Sequence, residues 1–144
     1  MSRRILVAYD GSDLSKQAVE EAKQQAAVYG ETEAHVICVI TPAGPSTNSA
    51  ISQSIAMEVA EEFRPVLEGI RSEIAAEDVE TVADVILDHS QKNAGVMLCE
   101  YAEDHDMDLI IMGSRGLGGM KRLFLGSVSN TVVHHAHCQV LIVK

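Results

Sequence analysis

Five short apolar runs recur along the chain with helix-patterned stretches between them, and this alternation restricts the fold more than any other feature. The runs are Arg4–Tyr9, His35–Ile40, Val79–Leu87, Leu109–Met112 and Val140–Val143. Ile5-Leu6-Val7-Ala8 has no polar alternation, as expected of a parallel strand buried on both faces. The first helix is expected over 13–29, where Leu14, Ala18, Ala22 and Ala26 recur every four residues and Gly30 supplies the stop. Residues 41–49 read as loop. A long helix should then present Ile51, Ile55, Val59, Phe63, Leu67, Ile70 and Ile74 on one side. Pro65 inside it predicts a kink or break near Arg64. A third helix is expected over 94–104, with Val96, Met97, Leu98 and Tyr101 available for burial, and a fourth starting near Val128. Strands alternating with helices specify a doubly wound, Rossmann-like α/β domain on a parallel sheet. The 144 residues contain no repeat or linker, so they read as one domain spanning 1–144. In such folds ligands bind beyond the C-terminal ends of the strands. Asp10, Val39 to Thr41 and Gly113 occupy those positions.

The fourth run opens into Gly113-Ser114-Arg115-Gly116-Leu117-Gly118-Gly119-Met120-Lys121-Arg122-Leu123-Phe124-Leu125-Gly126-Ser127, followed by the start of a helix. Two residues separate Gly113 from Gly116, nine separate Gly116 from Gly126, and Ser127 comes next. Glycine lets backbone approach an anion closely. The free N–H groups of a helix start, with the helix dipole behind them, attract negative charge. Ser127 suits either the helix cap or a hydroxyl offered to phosphate. No Gly-Lys-Ser/Thr ends the loop, so it is not a Walker A loop, and the third glycine of a dinucleotide fingerprint is missing.

Charge is distributed in the same sense. The formal net charge is -10, which opposes binding to nucleic acid or anionic lipid. All 21 acidic residues lie at or before Asp108, while Arg115, Lys121, Arg122 and Lys144 follow it. An anion site needs a loop cleared of carboxylates. Aromatic residues make up only 3% of the chain, which removes most stacking platforms for single-stranded nucleic acid. Cys38, Cys99 and Cys138 sit in apolar contexts without a CxxC spacing, as in a reducing compartment. No signal-peptide pattern or membrane-length apolar run is present, so a cytoplasmic protein without membrane insertion is expected.

Three blocks together resemble the universal stress protein family, in its ATP-binding branch. They are Ile5-Leu6-Val7-Ala8-Tyr9-Asp10-Gly11-Ser12, Asp108-Leu109-Ile110-Ile111-Met112-Gly113-Ser114-Arg115-Gly116, and Gly126-Ser127-Val128-Ser129. The resemblance spans the chain. It implies a five-stranded sheet in the order 3-2-1-4-5. It implies Asp10 near the ribose of ATP and an accompanying Mg ion, and Ala8, Val39 and Met112 around the adenine. It places Gly113, Arg115, Gly116, Gly126, Ser127, Val128 and Ser129 around the phosphates. Residues 88–95 lack the family's usual Gly-x-Pro before the third helix, and His137 and Gln139 stand where prolines are common.

The residues themselves leave other readings open. Asp10-Gly11-Ser12 also suits a plain turn. His134, His135 and His137 do not complete a zinc spacing, and adjacent helical residues point different ways, so structural or interfacial roles are expected of them. No triad or carboxylate pair stands out, so slow ATP hydrolysis is the most that is expected. The leading expectation is an ATP-binding regulatory or stress-response protein that acts through an unidentified protein partner. The alternatives are an interaction protein of the same fold that binds no nucleotide, and a slow ATPase. Val140–Val143 is expected to form an edge strand that pairs with a second copy in a homodimer.

Overall fold

The first strand, β1 (Arg3–Ala8), forms the middle of the sheet. The computed structural model describes residues 2–42, 49–89, 92–116 and 126–144. Along them follow α1 (Asp13–Tyr29), β2 (Thr32–Ile40), α2 (Ser49–Ala75), β3 (Glu80–Leu87), α3 (Ala94–Asp104), β4 (Leu109–Gly113), α4 (Ser127–His135) and β5 (Gln139–Val143). The five strands are parallel and lie in the order β3-β2-β1-β4-β5. This is the expected α/β architecture.

Alternate side chains of each central strand serve different layers. Ile5, Val7, Val36, Cys38, Leu109 and Ile111 pack with α1 and α2 residues such as Ala18, Ala22, Leu67 and Ile74. Leu6, Ile37, Ile110 and Met112 pack on the opposite face with Leu98 of α3 and Val132 of α4. Both faces are covered, which is why these runs read as continuously apolar.

Several boundaries differ from the sequence expectation. β1 covers Arg3–Ala8 rather than Arg4–Tyr9, although the Tyr9 N–H still donates to the Ile37 carbonyl at 3.0 Å. β2 starts at Thr32 rather than His35, because pairing with Arg3 holds it in the ladder. Ser49, placed in the loop by its composition, begins α2, and residues 43–48 of that expected loop lie outside the described residues. The expected break near Arg64 does not occur, since α2 runs through Pro65 as one helix. Pro65 and Glu61 are exposed, so water can satisfy the carbonyl that Pro65 leaves without a donor, while Ala60 and Leu67 anchor the helix on either side.

The expected apolar face of α2 also fails at one end. Leu67 and Ile74 are buried and Phe63 and Ile70 pack on the core. Ile51 and Ile55 are more than half exposed, and Ala56 and Ala60 are buried in that part of the helix. A repeat of strictly four residues advances about 40° per step on a 3.6-residue helix, so Ile51 and Phe63 stand about 120° apart.

Candidate functional site

Asp10 lies two residues beyond the end of β1. Its Oδ1 accepts the Ser12 N–H at 2.9 Å, forming the turn chemistry of Asp-Gly-Ser, with Gly11 at φ 86°. Ser12 then caps α1, its Oγ accepting the Ser15 N–H at 3.2 Å, and the Ser15 hydroxyl donates back to the Ser12 carbonyl at 2.9 Å. The turn reading and the site reading of Asp10 are therefore compatible. Oδ1 makes the turn, and Oδ2 faces Gly116, where an added Cβ would lie 2.5 Å from it.

The glycine loop leaves β4 and returns to the same place. The Ser114 N–H donates to the Val143 carbonyl at 2.8 Å, and the Ser114 carbonyl accepts the Gly126 N–H at 2.7 Å. Ser129, buried in the first turn of α4, places its Oγ 2.9 Å from that carbonyl and 3.0 Å from the Gly126 carbonyl. Residues 117–125, which carry Gly118, Gly119, Lys121 and Arg122, lie outside the described residues. The bonds join Ser114 and Gly126, described residues on either side of that segment. The cap of α4 is Gly126, and among the described residues no side chain caps the helix. Ser127 is its first residue and is exposed, so the capping role offered to Ser127 falls to glycine backbone instead. The first-turn amides of α4 are thus left without the side-chain acceptor that closes off α1.

These elements surround a cavity of about 350 Å³ at the C-terminal ends of β1 and β4. That is within the size range of small-molecule sites. All eleven residues that the family resemblance places around a nucleotide border it, whereas Ile40 and Thr41, also placed at the end of a strand, are not among its described lining residues. Ala8, Val39 and Met112 form an apolar side, while Gly113, Arg115, Gly116 and Gly126 to Ser129 lie around the glycine loop and α4. Asp10 is the one carboxylate among the described lining residues. Sequence reasoning missed Tyr9, Ser12, Ser15, Ile37, Ala94 and Leu98. Ile37 shares a strand face with Val39 and could have been found by the two-residue period. Ala94 and Leu98 come from α3, and nothing local in the sequence places that helix over the cavity.

Burial dominates the electrostatics behind the site. Cys38 is buried in the core on the α1–α2 face, and desolvation, with the Asp10 charge adding to it, pushes its thiol up to about 11. Desolvation likewise raises the Tyr9 phenol, with Cys38 and Asp10 contributing in the same direction. Neither group ionises near neutral pH, so the described negative charge at the cavity is that of Asp10. Among the described residues no three His, Cys, Asp or Glu side chains form a group suited to a metal ion. A cation held here would share Asp10 with groups supplied by its ligand. Among the described residues no helix is long and apolar enough to cross a membrane.

Comparison with known proteins agrees with this architecture. Universal stress protein Sll1388 of Synechocystis is 32% identical, with 98% of this chain and 97% of that protein covered. Universal stress protein YxiE of Bacillus subtilis is 31% identical over the full length of both. The structure of the universal stress protein UspA from Lactobacillus plantarum superposes with a TM-score of 0.85 at 20% identity, covering 99% of this chain and 97% of that one. A universal stress protein solved in complex with cAMP has a TM-score of 0.69 at 24% identity, covering 99% and 97%. One from Archaeoglobus fulgidus in complex with dAMP has a TM-score of 0.65 at 20% identity, covering 100% and 98%. The model of the universal stress protein family matches residues 1–144, and with full-length relatives above 30% identity the chain belongs to that family.

Proposed function

We propose that this protein binds ATP, with Mg, in the cavity at the ends of β1 and β4, and that nucleotide occupancy regulates its action on a protein partner. One observation carries the reading. Ser114 and Gly126 are hydrogen-bonded to each other directly before an α4 N-terminus that no described side chain caps, and beside an apolar recess. Such a helix start, reached over glycines, favours phosphate. Gly113, Arg115, Gly116, Gly126, Ser127, Val128 and Ser129 would surround the phosphates. Ala8, Val39 and Met112 would line the adenine, and Asp10 would meet ribose and the metal ion. The complexes of two structural neighbours with dAMP and cAMP support an adenine nucleotide.

The described lining holds no histidine, lysine or glutamate to act as a base, and Asp10 is engaged with Ser12. Hydrolysis is therefore slow at most, and the role is regulatory. The acting form is a cytoplasmic homodimer joined through β5.

The test is to denature the purified protein and identify the small molecules released, then titrate ATP by calorimetry. ATP or AMP should be recovered. Gly126→Val should abolish binding in a protein that still melts cooperatively, because its branched side chain would crowd the backbone through which the loop returns. Asp10→Ala should weaken binding by about tenfold, the scale of a lost charge-assisted contact. A folded Gly126→Val protein with unchanged ATP affinity would remove the loop from the account.

A further inference from the structure

Asp88 follows β3 and is wholly buried, at 0% exposure. Its described partners are neutral donors. Oδ1 accepts the Lys92 N–H at 3.1 Å, while Oδ2 accepts the Asn93 N–H at 3.0 Å and the Thr41 hydroxyl at 3.3 Å. The Asp88 N–H itself donates to the Ile40 carbonyl at 2.9 Å. One residue thus joins the end of β3, the end of β2 and the start of α3.

Two of those segments carry the apolar side of the cavity. Val39 immediately precedes Ile40, and Ala94 immediately follows Asn93, with Leu98 one turn further along α3. Asn93 has φ 117°, a backbone region that a non-glycine residue holds only when its surroundings fix it. Asp88 holds its N–H, and its own Oδ1 caps α3 by accepting the Val96 N–H at 2.9 Å. A carboxyl removed from water is costly to keep in place of an apolar side chain. The phosphate side of the cavity is held by separate bonds among Ser114, Gly126 and Ser129.

We propose that Asp88 is a positioning residue that fixes the distance between Val39 and the Ala94–Leu98 segment, and so sets the fit of the nucleobase. This rests on the nucleotide-binding reading above. Asp88 does not border the cavity and acts through the backbone it holds. It governs base recognition and leaves phosphate binding untouched.

The test compares wild type, Asp88→Asn and Thr41→Val by calorimetry with ATP, GTP and inorganic tripolyphosphate. Asparagine keeps the shape, but its NH2 must face either the Lys92 N–H or the Asn93 N–H and Thr41 hydroxyl, so at least one bond is lost. ATP affinity should fall about tenfold, the scale of a broken buried hydrogen bond. Tripolyphosphate affinity should not change, and the preference for ATP over GTP should shrink. Thr41→Val keeps both amide bonds and should give a smaller fall in the same ratio. It decides the matter if Asp88→Asn does not fold. Equal losses for all three ligands would overturn the proposal, because general loosening acts that way. So would an unchanged ATP affinity in folded Asp88→Asn protein. A wild type that binds none of the three overturns the cavity reading beneath it, which is a different result from either.

Discussion

Gly113, the last residue of β4, and Gly116, with two residues between them, are required for different reasons. A Cβ on Gly113 would meet the Leu14 Cβ at 2.7 Å and the Arg115 carbonyl oxygen at 3.1 Å, atoms fixed to α1 and to the loop backbone. Among the described residues, a Cβ on Gly116 would meet only the tip of the Asp10 side chain. Gly113→Ala should therefore lower the melting temperature through overpacking of about 1–3 kcal/mol. Gly116→Ala should melt within about 0.5 kcal/mol of wild type yet lose about tenfold in ATP affinity by displacing the Asp10 carboxylate. Thermal denaturation and calorimetry on the two variants separate these effects, and equal melting points would overturn the different roles given to the two glycines. Cys38 gives a residue-scale prediction in pH. Its thiol is raised from 9.0 to about 11 in the folded state. Between those values the unfolded chain loses the proton and the folded one keeps it, so stability falls as pH rises through that window. The fall attributable to Cys38 should reach about 3 kcal/mol once pH exceeds the folded value. Urea midpoints at pH 8 and above 10 measure it, and Cys38→Ala should reduce the slope, leaving the smaller contributions of Tyr9, Cys99, Tyr101 and Cys138, which act in the same direction.

At the scale of elements, α2 and the α3–α4 pair show how packing overrides local preference. Pro65 would end an isolated helix, yet α2 continues through it because Ala60, Leu67 and Ile74 hold it on the sheet. The proline remains a local cost. Pro65→Ala, at an exposed position, should restore the missing N–H donor to the Glu61 carbonyl and stabilise the protein by about 1–3 kcal/mol. A urea midpoint that does not rise would mean that the helix already bends to absorb the ring. The contact of α3 with α4 depends on Gly95, where a Cβ would lie 2.6 Å from the Thr131 Cβ. That close approach brings Ala94 of α3 and Ser127 of α4 to one cavity.

For the whole molecule the open question of assembly falls on β5. It pairs with β4 and ends the sheet. Leu141 and Val143 pack toward the α1–α2 layer, Val140 and Ile142 toward the α3–α4 layer, and all four remain partly exposed. An apolar edge strand without proline or an inward charge is a template for pairing. A two-fold antiparallel contact with a second copy satisfies it. Sedimentation should give a dimer at micromolar concentration, and Leu141→Lys or Ile142→Lys should give monomer or insoluble protein. A wild type that sediments as a monomer would show that the edge is shielded in some other way.

The sequence by itself determined the strand and helix alternation, the position of the glycine loop after β4, and the place of Asp10 in the turn after β1. Each of these is written in consecutive residues, as apolar period, turn chemistry and glycine spacing. The family resemblance, carried by short motifs, supplied the strand order and the apolar residues Ala8, Val39 and Met112, and the structure brings them together with the loop in one cavity. What depended on distance in the chain was left to the tertiary structure. The face of α2 that is buried follows from a drift of the four-residue repeat and from the sheet beneath it. Leu98 reaches the cavity because α3 crosses above it, and Asp88 matters because β2, β3 and α3 meet where it is buried. Hydrogen bonds from Thr41, Lys92 and Asn93 converge on that carboxyl only once the three segments are folded together, and no local pattern in the chain encodes that meeting.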